Sequence, residues 1–442
     1  MRARISSDKL TIFSYFIAVI LVGAALLSLP AAWGGDEPLG VLNALFTATS
    51  AVCVTGLIVV DTTEFTRFGQ TIILLLIQFG GLGIVTFATL FVASSRNRVS
   101  LLNRGMIQEM YIEEVDANPR RIVLHIVIVT VAIELAGFLV LAMRFKFLGI
   151  DAPMFSSLFL AVSAFCNAGF SVFSDSLNRF SGDWLVTMIF MLLIVGGGLG
   201  FVVIRDLSRV FMRTKRHLAY HSRVVLMMTA VLILFGFASF YMLEYDNAYA
   251  QLPMPHKLMA ALFQSVTART AGFDTVAQGA LSLPSLIFVM MLMFIGGSPG
   301  STAGGVKTTT MFMAIMAAMK GTEADGSFSY AGGLVSSERL AKAFGILVKA
   351  MAIVLLSFIA LLAFEGARSQ NSFSDLMFEA VSAFGTVGLS RGVTARLGAF
   401  SKITLIMTMF AGRVGLFAMA LRLPSDRIER FAEYPREDLM LG

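Results

Sequence analysis

Four times along this chain a stretch of about a dozen apolar and small residues ends in a glycine turn. The stretches are LFTATSAVCVTGL (Leu45–Leu57), LFLAVSAFCNAGF (Leu158–Phe170), LFQSVTARTAGF (Leu262–Phe273) and MFEAVSAFGTVGL (Met377–Leu389). Their closing glycines, Gly56, Gly169, Gly272 and Gly388, lie 113, 103 and 116 residues apart. The third stretch is one residue shorter than the rest. Such a segment is too short to cross a bilayer core, for which a helix needs about 20 residues. Repetition at a near-fixed period dictates architecture before any single residue does. Here it predicts four units of helix, half-helix, glycine turn and helix.

The flanking segments fit that unit. Apolar runs cover Leu10 to Leu29, Phe68 to Ala93, Val123 to Met143, Trp184 to Ile204, Val224 to Leu243, Leu347 to Phe364 and Ile403 to Leu423. With 57% hydrophobic residues, 14% charged and a mean hydropathy of +0.81, the chain belongs in a membrane. The first run exceeds a signal-peptide core and reads as a retained helix. Of 34 Lys and Arg, 22 fall in the alternating segments 1–9, 94–122, 205–223, 305–345 and 422–442, whereas the acids divide evenly. That asymmetry predicts that these segments and both termini face the cytoplasm; a basic patch for nucleic acid would not alternate with the helices. Cys53 and Cys166 are too few for a disulfide framework or a metal site.

The expected fold class is therefore all-α integral membrane, with eight spanning helices and four re-entrant segments around one central pore. The expected divisions are 1–93, 94–204, 205–340 with a broken second helix, 341–424, and a cytoplasmic tail 425–442. Non-helical backbone at membrane depth survives only inside protein or along a water-filled cavity, which four re-entrant turns around an axis would provide. Short helices would aim their negative C-terminal ends at that axis, and the glycines would turn carbonyls toward a cation. One turn reads Thr386-Val387-Gly388, the opening of a potassium-channel filter loop. Downstream, 24 to 28 residues past each glycine, GGLG (Gly80–Gly83), GGLG (Gly197–Gly200), GGSPG (Gly296–Gly300) and GRVG (Gly412–Gly415) repeat as well, fitting close helix packing.

Two features break the symmetry. Gly296–Lys307, GGSPGSTAGGVK, holds five glycines and a proline in the middle of a spanning segment, so no helix runs unbroken through it. It misses the phosphate-loop pattern because Val306 stands where lysine is needed and Lys307 comes one late. Arg413 takes the register of Gly81, Gly198 and Gly297. A charge at that depth is costly and usually functional, either below the filter or as an ion-pair partner of Glu134. His125 and Glu134 form no catalytic constellation, so no enzyme is expected.

On these residues the sequence resembles the Trk/Ktr/HKT superfamily of potassium transporters over nearly its whole length, and most closely its KtrB branch, since only nine residues precede the first run. The resemblance implies ion-binding filter residues Val54, Thr55, Gly56 and Leu57; Asn167, Ala168, Gly169 and Phe170; Thr270, Ala271, Gly272 and Phe273; and Thr386, Val387, Gly388 and Leu389. It implies a gate from Gly296, Gly297, Ser298, Pro299, Gly300, Ser301, Thr302, Ala303, Gly304, Gly305 and Lys307, with Arg413. It implies K+ as the transported ion, no cofactor in this chain, a homodimer, and a cytosolic KtrA-like ring that binds ATP and ADP. A sodium requirement stays open. The alternative is a Na+/K+ secondary transporter with alternating access, for which two repeated halves rather than four units would be expected.

Overall fold

A computed structural model describes residues 7–94, 119–321, 323, 326–366 and 371–415. Residues 1–6, most of the basic segment 94–122, the end of the last apolar run and the tail 425–442 lie outside the described residues. The first unit comprises α1 (Ser7–Leu27), the short α2 (Val41–Val52) and α3 (Arg67–Ser94). The second comprises α4 (Pro119–Phe147), the short α5 (Pro153–Phe165), α6 (Trp184–Leu199) and α7 (Phe201–Phe211). The third has α8 (Tyr220–Glu244), the short α9 (Met254–Thr267), α10 (Leu283–Phe294) and α11 (Thr308–Lys320). The fourth has α12 (Ser337–Glu365), the short α13 (Phe373–Gly385) and α14 (Ala399–Phe410), which runs into a π-turn at Ala411–Gly415. A two-stranded hairpin, β1 (Phe328–Tyr330) with β2 (Gly333–Val335), interrupts the helical plan between α11 and α12.

The half-helices α2, α5, α9 and α13 are 12, 13, 14 and 13 residues long. At 1.5 Å per residue they reach about 20 Å, short of a 30 Å core. From their second turn on they are almost wholly buried. The outer faces of the long helices do the opposite: Val22, Leu192, Leu356 and Met407 are all exposed, as suits a surface solvated by acyl chains. The third unit's second helix is split, as its glycines and proline require. The second unit's is split too, which its apolar run does not announce. The run Trp184 to Ile204 is not one helix: α6 stops at Leu199, and α7 departs at 105° from Gly200, whose φ is 88°.

Each unit clasps the end of its first helix to the start of its second. In the first, Thr66 donates its amide to Ala32 O (3.1 Å) and its hydroxyl to Ala31 O (2.7 Å). In the second, Arg144 Nε meets Asp183 Oδ2 at 2.8 Å while Asp183 caps α6 through the Leu185 and Val186 amides. In the third, Glu244 accepts from Ser282 N (2.9 Å) and Oγ (2.6 Å); in the fourth, Glu365 accepts from Gly398 N (2.9 Å) and Ser401 Oγ (2.6 Å). Glu134 is therefore not alone as a buried acid in a long helix, because Glu244 and Glu365 occupy last turns. Carboxylates there satisfy orphan amides and favour the positive end of the next helix.

Replacing Glu365 with alanine should lower the thermal midpoint of detergent-solubilised protein by an amount matching a lost cap, about 1–2 kcal/mol. Ser401→Ala should cost less in that background than alone, because both act on one contact. Additive losses would show that the clasp is not a unit.

Candidate ion pathway

The four glycine turns share one backbone. Each half-helix carries a hydroxyl residue in its last turn, Ser50, Ser163, Thr267 or Ser382, and the amide of Thr55, Ala168, Ala271 or Val387 returns to the carbonyl of that residue. The residue two before each glycine has positive φ: Val54 55°, Asn167 59°, Thr270 75° and Thr386 50°. The glycines follow at 88°, 69°, 76° and 90°. Left-handed backbone thus recurs at two positions with one residue between them in every turn, and at the second position glycine adopts it without strain.

These turns close on one another. A Cβ on Gly56 would stand 2.5 Å from Ala168 O; on Gly169, 3.0 Å from Ala271 O; on Gly272, 2.2 Å from Val387 O; and on Gly388, 2.2 Å from Thr55 O. Glycine and carbonyl thus alternate round a ring of four units, the last touching the first. Lys402 Nζ on Asn43 Oδ1 (3.0 Å) ties the fourth unit to the first at the outer rim, and Leu177 N on Asp274 O (2.9 Å) ties the second to the third. Leu57, Phe170, Phe273 and Leu389 are buried beyond the glycines and stabilise the ring from behind. Thr55, Thr270 and Thr386 hold buried hydroxyl oxygens without a hydrogen-bond partner among the described residues. A buried acceptor left open in this way suits a partly dehydrated cation or water.

A hydroxyl column in the same place of every stretch went unremarked in the sequence. Ser50 Oγ and Ser382 Oγ accept from the Gly56 and Gly388 amides, both at 3.1 Å. Ser163 Oγ donates to Phe170 O (2.7 Å), and Thr267 Oγ1 donates to Phe273 O (2.7 Å). The signal was the alignment itself, since its sixth column reads Ser, Ser, Thr, Ser.

Behind the ring, second helices press on the ends of half-helices. A Cβ on Gly80, Gly197 or Gly412 would come within 2.0 Å, 1.8 Å or 1.9 Å of Val52 O, Phe165 O or Phe384 O. The third unit breaks this pattern, with Arg269 in that column. Its guanidinium is buried and Nη2 lies 3.5 Å from Gly296 O. Arg269 is a further buried charge that the apolar-run reading overlooked.

The Gly296–Lys307 segment fills the space where the half-helices end. Ile295 pairs with Val306, closing its base. Ser298 N and Thr302 N donate to Gly198 O (3.0 Å) and Gly197 O (3.2 Å), and Gly300 O accepts from Phe201 N (3.1 Å). Thr302 Oγ1 reaches Phe165 O (3.1 Å) and the Asn167 amide (3.0 Å). A Cβ on Gly304 would meet Thr386 Oγ1 at 2.0 Å, so the segment touches the ring. Ser301 Oγ donates to Ser298 O, and Lys307 Nζ folds back on Ala303 O (2.6 Å). Pro299 and Gly300 are half-buried at its tip, and the Pro299 carbonyl crowds Gly200.

Arg413, in the π-turn, donates from Nη1 to Thr302 O and from Nη2 to Gly80 O (3.0 Å). It therefore joins the third unit's segment to the first unit's second helix. Glu134 is engaged elsewhere, accepting from Gln78 Nε2 (3.1 Å) and Cys166 Sγ (3.8 Å). Arg413 therefore sits on one loop carbonyl and one α3 carbonyl, and not on Glu134.

The family described as TrkH, cation transport protein, matches residues 2–431. The chain is similar to the Ktr system potassium uptake protein B of Bacillus subtilis, 38% identical over 90% of this chain and 89% of that protein. It is similar to the potassium/sodium uptake protein NtpJ of Enterococcus hirae, 35% identical over 100% and 98%. Its fold is similar to the crystal structure of the potassium transporter TrkH from Vibrio parahaemolyticus, with a TM-score of 0.74 at 18% identity, covering 96% of this chain and 86% of that one.

The contacts around Gly412 set a stability test. Gly412→Ala forces a methyl into Phe384 O and should cost about 1–3 kcal/mol or more, read as a lowered thermal midpoint and folded yield. Gly345→Ala, inside α12 where a Cβ meets open space, should leave the midpoint unchanged or raise it by up to about 1 kcal/mol of helix propensity. Equal midpoints would mean that the close approach does not matter.

Proposed function

This chain belongs to the TrkH family of cation transport proteins, and on that premise we propose that it is the potassium-translocating pore subunit of a Ktr-type uptake system. It works in the bacterial cytoplasmic membrane with both termini inside, as a homodimer on a cytosolic KtrA-like ring that carries the ATP and ADP response. The observation that carries this reading is the closed ring of glycines and carbonyls. Four half-helices direct partial negative charge to that ring, and its carbonyls and the open threonine hydroxyls replace the hydration shell of K+. Glycine in all four units keeps the ligand ring uniform. The curated relatives named for potassium uptake support the choice of ion, and the potassium/sodium naming of the Enterococcus hirae relative keeps sodium in the comparison.

The segment Gly296–Lys307 is the gate. It lies on the side where the half-helices end and is held by the Gly197 and Gly198 carbonyls, the Phe201 amide and Arg413. At about 1 kcal/mol net per hydrogen bond, opening costs a few kcal/mol, an amount that a nucleotide-driven partner can supply. Arg413 adds its charge, which at a few ångströms opposes a cation by up to about 4 kcal/mol at an effective dielectric near 20.

Gly56→Ser tests the filter. A side chain there pushes Ala168 O out of the ring, so K+ preference over Na+ should fall at least about tenfold in uptake competition, a change of roughly 1.4 kcal/mol. An unchanged preference in correctly inserted protein would remove the filter from these glycines.

Arg413→Ala tests the gate. Flux of K+ should rise several-fold in liposomes while the oligomer survives in detergent. Reduced flux with a lower melting point, rescued by Glu134→Gln, would return Arg413 to a structural pair.

A further inference from the structure

The gate is held at the break between α6 and α7, and α7 has a surface that the pore does not use. Three backbone bonds reach that break, one of them from α7 itself. Phe201 N, the first amide of α7, donates to Gly300 O at 3.1 Å, and the last carbonyls of α6, Gly197 and Gly198, accept from Thr302 and Ser298. From Gly200 the helix turns 105° away from α6. A helix leaving a spanning segment at that angle runs close to the plane of the membrane, the orientation of helices that lie in the interface.

Its composition suits that depth. Phe201, Val203 and Asp206 are buried, whereas at the far end Phe211 and Met212 are 90% and 70% exposed. Exposed Arg213 and Arg216 follow directly. Between 201 and 219 there are five Lys or Arg and one acid. That acid, Asp206, is already engaged by Lys215 Nζ (3.0 Å) and the Ala219 amide (2.7 Å). These bonds staple the turn back onto α7, so the basic apolar tip is carried rigidly.

We propose that α7 and its turn dock on the anionic headgroups of the cytoplasmic leaflet, and that this seat holds the loop in its closed arrangement. The second half rests on reading Gly296–Lys307 as the gate. Guanidinium groups beside exposed apolar side chains match an anionic surface with acyl chains beneath it. An acidic protein face would match the charges but not the Phe211–Met212 pair at interface depth. Because α7 follows α6 with no linker, fixing it fixes the Gly197, Gly198 and Phe201 groups that the loop binds. Anionic lipid is thus a brake on flux.

The test uses the full chain reconstituted in vesicles of phosphatidylcholine alone or with phosphatidylglycerol. Met212→Cys carries an environment-sensitive dye, the native Cys53 and Cys166 being buried. With phosphatidylglycerol the dye should shift to the blue and be quenched by spin-labelled lipid, and Rb+ uptake should fall about threefold or more, within the reach of two basic residues at a charged surface. Arg213→Gln with Arg216→Gln should abolish both differences and leave uptake in neutral vesicles unchanged. A dye exposed to water in both compositions overturns the docking. So does protection that arises only when a soluble acidic protein is added. A docked dye with lipid-independent uptake overturns the brake. Shortening Gly300–Gly304 separates the two readings: it should raise uptake in both lipids and erase the lipid effect while the dye stays docked. No rise in uptake would sink the gate and the brake with it, and the dye alone would then decide the docking.

Discussion

A backbone amide or carbonyl at membrane depth has no water to turn to, and its partner must come from the protein. Most of what is unusual in this chain answers that demand. Breaking α6 at Leu199 leaves the Gly197 and Gly198 carbonyls and the Phe201 amide without helical partners. Breaking the third unit's second helix leaves the amides of Ser298 and Thr302 and the Gly300 carbonyl in the same condition. The two breaks face each other and satisfy one another. Arg413 adds donors to one carbonyl of the loop, Thr302 O, and to one of α3, Gly80 O. A kinked helix and an irregular loop that would each be untenable alone are stable as a pair.

The same demand separates the parts that stay fourfold from the parts that do not. At the ring, every unit repeats the left-handed residue, the glycine and the hydroxyl, since each turn is pressed against its neighbour's backbone. One layer below, the second helices diverge. The first unit's is continuous, the second bends, the third opens into a loop and the fourth widens into a π-turn. On the function proposed above, equivalent ligands are served by that symmetry, and a gate that moves against fixed neighbours is served by its loss.

The pattern of repeats, the half-helices and the glycine column were legible because their period and their length both exclude ordinary spanning helices. The broken third helix was legible because Gly and Pro cannot be hidden in a helix interior. The break at Gly200 was not, because Trp184 to Ile204 is apolar on both sides of it, and one glycine among four gives no sign of which one turns. Glu244 and Glu365 were missed because they sit one residue beyond runs that were cut at Leu243 and Phe364. Arg269 was hidden inside a stretch read for its glycine. The partner of Arg413 lay beyond reach for a different reason: both candidates fitted by depth, and only packing could choose a loop carbonyl and an α3 carbonyl over a carboxylate.

The bond from Arg413 to Gly80 spans 333 positions of chain, and the ring contact between Gly388 and Thr55 spans as many. At about 5–20 residues per second, the ribosome needs roughly 17 to 67 seconds to deliver the fourth unit's contact after the first unit's has been made. Through that interval the first turn has one flank uncovered, and its carbonyls have only water from the nascent cavity to satisfy them. The ring is thus an assembly completed by its last-made member, and a premature stop in the fourth unit leaves three inserted units with an open seam rather than a smaller pore.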